Sequence, residues 1–128
     1  MKHSVIDLWA TEHGLSLDTR GARRQVALTV DKVRLHMREQ ASGHVLLQAR
    51  VADIPAAERP REDMLLHALG VAAGRMRSSA CVLATDLDAD SLHLQLQAAL
   101  GSDVQALDLA VEHLVNEVEV WRLALGQG

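Results

Sequence analysis

Seven histidines and one cysteine are the residues of this chain best suited to metal binding or proton transfer near neutral pH. Metal sites need such donors at short, repeated spacings. His3, His13, His36, His44, His67, His93 and His113 form no HxxxH or HExxH pattern and no cluster with cysteine. Cys81 stands in a small apolar run and reads as a buried hydrophobe. Asp86, Asp88 and Asp90 are spaced like the start of a calcium loop. However, the sixth position is Ser91 instead of glycine, and Gln97 stands where a bidentate glutamate belongs, so turn-forming aspartates are the better reading. There is no glycine-rich phosphate loop and no GxSxG elbow. The expectation is a protein that is not an enzyme, with no catalytic residues, no metal and no cofactor.

The elements that would have to position any site are legible from hydrophobic period. Val104, Leu107, Val111, Leu114, Val118, Trp121 and Leu125 recur at steps of three or four, which predicts one amphipathic helix over 103–125. Ser102 or Asp103 suits its N-cap and Gly126 its left-handed C-terminal release. Just before it, Leu92, Leu94 and Leu96 alternate with His93, Gln95 and Gln97, as in a strand with one wet face. Val26–Val30, Val33–Met37 and Val45–Val51 alternate in the same way and predict an antiparallel meander, with a tight turn at Asp31-Lys32. Cys81–Thr85 and Leu92–Leu96 form a further hairpin. A short helix is expected near Ser4–His13, ended by Gly14, with Val5, Leu8 and Trp9 as its apolar face. Another is expected after Pro60, running through Leu65, Leu69, Ala73 and Met76. The connection between the first helix and first strand carries Arg20, Arg23 and Arg24, read as a solvated loop.

The 128 residues suit a single domain, 1–128, of the α+β class: a five-stranded antiparallel twisted sheet with three helices in the order α-β-β-β-α-β-β-α. Two tryptophans with no Phe or Tyr leave the core to Leu, Val, Ala and Met. A net charge of −4 argues against a nucleic-acid partner, whose backbone rewards a concentrated basic face. Asp7 interrupts the N-terminal apolar residues, no segment reaches transmembrane length, and the lone cysteine suits a reducing compartment. The expected location is the cytoplasm, away from membrane.

Three stretches carry a family likeness: Met64-Leu-Leu-His-Ala-Leu69, the hairpin Cys81-Val-Leu-Ala-Thr-Asp-Leu-Asp-Ala-Asp-Ser-Leu-His-Leu-Gln-Leu96, and Val111-Glu-His-Leu-Val-Asn-Glu-Val-Glu-Val-Trp121. Together with the order of elements, they make the chain resemble the class I type III secretion chaperones, the Tir chaperone family. The resemblance implies a homodimer that holds the N-terminal chaperone-binding segment of a secreted effector as an extended chain, with the secretion ATPase as an optional further partner. It leaves open a regulatory member of the same fold that sequesters a regulator, and a small α/β dimer of unrelated function. A small enzyme would require His36, His93 and acidic groups to converge.

Two surfaces are expected on that reading. Gly70 and Gly74 weaken a helix interior and, with Ala73, make a face that another backbone can approach closely. Leu66, Leu69, Gly70, Ala73, Gly74, Met76, Val82 and Ala84 are the expected dimer residues. The first helix is too short to be closed over by one strand, which leaves an apolar groove beside a strand edge. Leu8, Trp9, Leu15, Leu17, Val26 and Leu28 are the expected client contacts.

Overall fold

The structure, a computed structural model, describes residues 5–15, 25–40, 44–86, 88, 90–98 and 103–126. Leu17 and the cluster of Arg20, Arg23 and Arg24 lie outside the described residues. The elements are α1 (Val5–Glu12), β1 (Gln25–Val30), β2 (Val33–Glu39), β3 (Val45–Asp53), α2 (Glu58–Arg75), β4 (Val82–Thr85), β5 (Ser91–Ala98) and α3 (Val104–Ala124). This is the expected α+β arrangement, and the five strands form one antiparallel sheet in the order β1-β2-β3-β5-β4. The C-terminal hairpin therefore joins the meander through its second strand.

Alternation decides which side of the sheet is dry. Val33, Leu35 and Met37 on β2, Val45, Leu47 and Ala49 on β3, and Leu92, Leu94 and Leu96 on β5 are all buried. Their register partners across the ladders are one another, as in Leu35 opposite Ala49 and Leu47 opposite Leu96. A one-residue slip would turn this whole set to solvent, so the pattern holds the register. Each fully buried Leu or Val contributes roughly 1.5–3 kcal/mol. The irregularity between Arg50 and Ala52 inserts Val51, which stays buried.

The turn from β1 to β2 is the two-residue loop Asp31-Lys32, and both residues have positive φ, 49° and 69°. Such a turn matches the right-handed twist of the strands it joins, and the sequence makes it without glycine. At the other end of the chain, Asp103 Oδ1 accepts from the Ala106 amide at 3.1 Å, and Gly126 takes φ +74°. Both ends of α3 are thus where the sequence marks them. Leu107, Val111, Leu114, Val118 and Trp121 make its buried stripe.

All three helices lie on the dry side of the sheet. α3 packs across β3 and β5, and α1 packs against α3. α2 is tied to α3 by polar contacts: Arg75 donates to Glu117, and His67 Nε2 donates to the Ala124 carbonyl at 2.7 Å. The opposite face of the sheet carries Arg34, His36 and Arg38 of β2, Gln48 and Arg50 of β3, and His93 and Gln95 of β5, and none of the three described helices packs over it.

Candidate functional site

The first candidate surface is built where α1 meets α3. α1 packs through Ile6, Trp9 and Ala10, all buried, while Leu8 is turned outward. Of the expected face, Trp9 points inward and Leu8 does not, while Ile6 and Ala10 are buried beside Trp9. The anchor is Trp9: its indole Nε1 donates to Asp108 Oδ1 at 2.5 Å, and His13 Nε2 lies 3.0 Å from the same oxygen. The two rings stack obliquely, with centroids 4.3 Å apart. Trp9 thus buries its hydrophobic body and satisfies its N–H on α3, as a large amphipathic side chain requires.

Beside this contact, a cavity of about 610 Å³ opens between α1, β1 and α3. Trp9, Leu15, Leu28, Val30, Val111 and Val115 supply apolar walls, while His13, Asp31, Asp108 and Asn116 rim it. β1 is the end strand of the sheet among the described residues. An end strand offers main-chain hydrogen-bond groups to an added chain, and an apolar trough beside it takes alternate side chains. Of the residues predicted for this surface, Trp9, Leu15 and Leu28 line the groove and Leu8 stands on the outer side of α1. Val26 is only 3% exposed and belongs to the core, while Leu17 is outside the described residues. Sequence reasoning missed the α3 wall: Val111 and Val115 are part of its buried apolar stripe, and that they form the floor of a groove beside α1 and β1 is a tertiary fact.

The second candidate surface is the outer side of α2. Its inner side, including Met64, Leu65, Ala68, Val71 and Ala72, packs on the core. Its outer side carries Leu66, Leu69 and Met76, exposed by 68, 62 and 77%, and Val82 of β4 is 61% exposed. Gly70, Ala73 and Gly74 lie between them, also exposed, and Ala84 is half-buried on β4. A Cβ built at Gly70 or Gly74 meets nothing within 4 Å. Nothing within the described chain uses the closeness these glycines permit. A cavity of about 400 Å³ bordered by Leu69, Met76, Val82 and Trp121 continues the apolar character inward.

Under this surface lies a polar group the sequence did not disclose as buried. Glu117 is 2% exposed and receives Arg75 at both carboxylate oxygens, Nε–Oε1 2.7 Å and Nη2–Oε2 2.8 Å. The hydrogen bonds from Arg75 hold its pKa below the usual carboxylate range against the opposing effect of burial. The signal was available, because Glu117 falls three residues after Leu114 and four before Trp121 on the buried stripe. Burial pushes the nearby Cys81 thiol up, so its reactive thiolate is disfavoured.

His36 and His93 share the open sheet face, and both line a shallow trough there with Asp53. Their geometry is not that of a hydrolytic site. Gln48 Nε2 lies 3.2 Å from His93 Nδ1, and Ser91 Oγ lies 2.7 Å from His93 Nε2. A Ser-His-carboxylate triad places a carboxylate at the second ring nitrogen, whereas here Gln48 stands beside Nδ1, and Ser91 is itself buried. Among the described residues, no group of three His, Cys, Asp or Glu side chains is placed to hold a metal ion. Among the same residues, no helix is long and apolar enough to cross a membrane.

The chain belongs to the Tir chaperone protein (CesT) family, whose sequence model matches residues 6–122. Its fold is similar to that of a chain in the ExsC-ExsE complex, with a TM-score of 0.69 and 20% identity over 94% of this chain and 90% of that one. It is also similar to a chain of the heterodimeric ExoU-SpcU complex from the type III secretion system of Pseudomonas aeruginosa, at TM-score 0.66 and 22% identity over 93% and 96%. The HopA1-SchA chaperone-effector complex gives TM-score 0.63 and 17% identity over 92% and 90%. No curated protein matches by sequence.

Proposed function

We propose that this chain, as one domain spanning 1–128, is a cytoplasmic chaperone for a type III secreted effector. It holds the effector's N-terminal chaperone-binding segment as an extended chain and acts without catalysis, metal or cofactor. The observation that carries the reading is the apolar groove of Trp9, Leu15, Leu28, Val30, Val111 and Val115 beside the end strand β1. Family membership and the chaperone-effector complexes among the structural neighbours support it. An extended client gains main-chain hydrogen bonds along β1 while its apolar side chains enter the trough. Walls of Leu and Val, with Trp9 as the one aromatic, accept varied side chains.

The working unit on this reading is a homodimer formed through the outer side of α2 and the adjoining β4. The exposed Leu66, Leu69, Met76 and Val82 form an apolar patch of the kind that marks protein interfaces. Gly70, Ala73 and Gly74 let the second copy approach closely. The secretion ATPase is a further proposed partner, receiving the loaded chaperone.

The test is co-expression with the effector that co-purifies from the native host, followed by binding of its N-terminal segment to wild type and Leu28→Glu. The expected result is a stable complex that Leu28→Glu weakens by a kcal/mol or more, about the cost of losing a buried anchor. Unchanged binding by a folded Leu28→Glu places the client elsewhere and overturns the groove assignment.

A further inference from the structure

We propose that the helix-free face of the sheet is a docking surface for an acidic, extended segment of a partner polypeptide. The chain has more acidic than basic residues, 17 against 13, yet among the described residues the trough on this face is lined by Lys32, Arg34, Arg50 and Arg122 with a single carboxylate, Asp53. Arg38 continues the same row on β2. Positive charge is thus gathered on one side of an acidic protein.

The charges are arranged for a chain lying along the strands. Arg34 and Arg38 are four residues apart on β2, on the same face, and so stand roughly 13 Å from one another at the rise of a strand. Carboxylates four residues apart in an extended segment match that spacing, as does every second one of an alternating acidic run. Both arginines are exposed, and among the described residues neither has an ion-pair partner. Arg50 is different, because it pairs with Asp53. Arg122 is held at the rim by the carbonyls of Arg50 and Lys32, at 3.2 and 3.5 Å, which spends hydrogen bonds without neutralising its charge. Beside the cations, across β3 and β5, Gln48, Gln95 and His93 form a row of hydrogen-bonding groups.

A polypeptide fits this surface better than a nucleic acid. Single strands bind through aromatic platforms as well as charge. The only aromatic rings of the Phe, Tyr and Trp classes are Trp9 and Trp121, both 2% exposed and both on the helix side. Guanidinium groups accept spaced carboxylates two-pronged, and the amide side chains can serve a peptide backbone.

The experiment uses the full chain and a labelled alternating Glu-Gly peptide, with an alternating Gln-Gly peptide and an oligo-dT strand as comparisons, at low and at physiological salt. The expected result is binding of Glu-Gly in preference to both, weakened by salt and weakened roughly ten-fold by Arg34→Gln with Arg38→Gln, as for the loss of charge-assisted bonds. Circular dichroism melts confirm that this double variant remains folded. Arg59→Gln with Arg61→Gln on α2 makes the same change of net charge elsewhere and should leave binding intact. Leu28→Glu should also leave it intact, so failure of the groove assignment and failure of this proposal are separable. Absence of Glu-Gly binding, equal binding of Gln-Gly, equal loss with the α2 variant, or preference for oligo-dT each overturns it.

Discussion

Arg75 and Glu117 form a two-pronged ion pair that joins the last turn of α2 to the middle of α3, with both N–O distances under 3 Å. Glu117 is buried, so its charge depends on this partner. Removing one partner from a buried pair leaves the other uncompensated, whereas replacing both by apolar groups restores a dry contact. Arg75→Met should therefore lower the melting temperature more than Arg75→Met combined with Glu117→Leu. A double variant less stable than Arg75→Met would show that the pair contributes beyond mutual neutralisation.

Gly74 sits in the exposed last turn of α2 with open space around it, so the propensity gain there is at most that of an interior position. Gly74→Ala should stabilise α2 by roughly 0.5–1 kcal/mol through helix propensity. Gly74→Leu should instead shift the mass in light scattering from dimer toward monomer if the proposed dimer forms through α2, because the added side chain would stand between the two copies. A wild-type mass of a monomer at micromolar concentration would remove the dimer reading.

Val26 and Leu28 are two residues apart on β1 and should respond differently to the same substitution. Val26 is in the core, so Val26→Glu should cost several kcal/mol and abolish the folded state. Leu28 lines the groove, and Leu28→Glu should keep a cooperative melt. Thermal denaturation of the two variants side by side separates core from groove.

The Asp31-Lys32 turn holds a lysine at φ 69°. Lys32→Val should lower stability by about 1–2 kcal/mol, since a β-branched residue fits left-handed backbone poorly. Lys32→Gly removes the strain but loosens the unfolded chain, so its net effect should be smaller than that of Val. Urea midpoints of the two variants give the comparison.

Stability should fall as pH drops through about 6.5, the ordinary histidine value. Burial lowers the pKa of His36, with Arg38 and Arg34 adding to the effect. Burial also lowers that of His93, opposed by Asp86 and reinforced by Arg50. The unfolded chain then binds protons at these sites more readily than the folded one, so the slope of unfolding free energy with pH is positive there. The depressed pKa of Glu117 acts lower, below about pH 4.3. His36→Gln with His93→Gln should flatten the loss that sets in as pH drops through about 6.5 in urea titrations and leave the acid limb in place.

Much of the fold was legible because local signals agreed with tertiary ones. α3 has an Asp cap, a Gly release and an uninterrupted stripe, and its bounds fall where these put them. α1 was less legible because eight residues hold barely two turns, and both Leu8 and Ile6 give an acceptable face with Trp9. The indole bond to Asp108, 99 positions away, accompanies the choice of face, and no local pattern contains it. The outer residues of α2 were readable as a stripe of small and large apolar side chains, and the structure leaves them exposed. The polar positions of the strands were readable one at a time as solvent-facing. Their common charge arises only when β2 and β3 lie side by side, bringing Arg34, Arg38 and Arg50 onto one face.

The positions of the two tryptophans make the chain its own spectroscopic reporter. With no tyrosine, its near-ultraviolet absorption and emission come almost wholly from Trp9 and Trp121. Trp9 borders the groove, with a carboxylate on its indole nitrogen, and Trp121 borders the cavity behind the outer side of α2. Replacing either by leucine leaves a single emitter, so an event at the groove and an event at the α2 surface can be followed as separate optical signals without an added label.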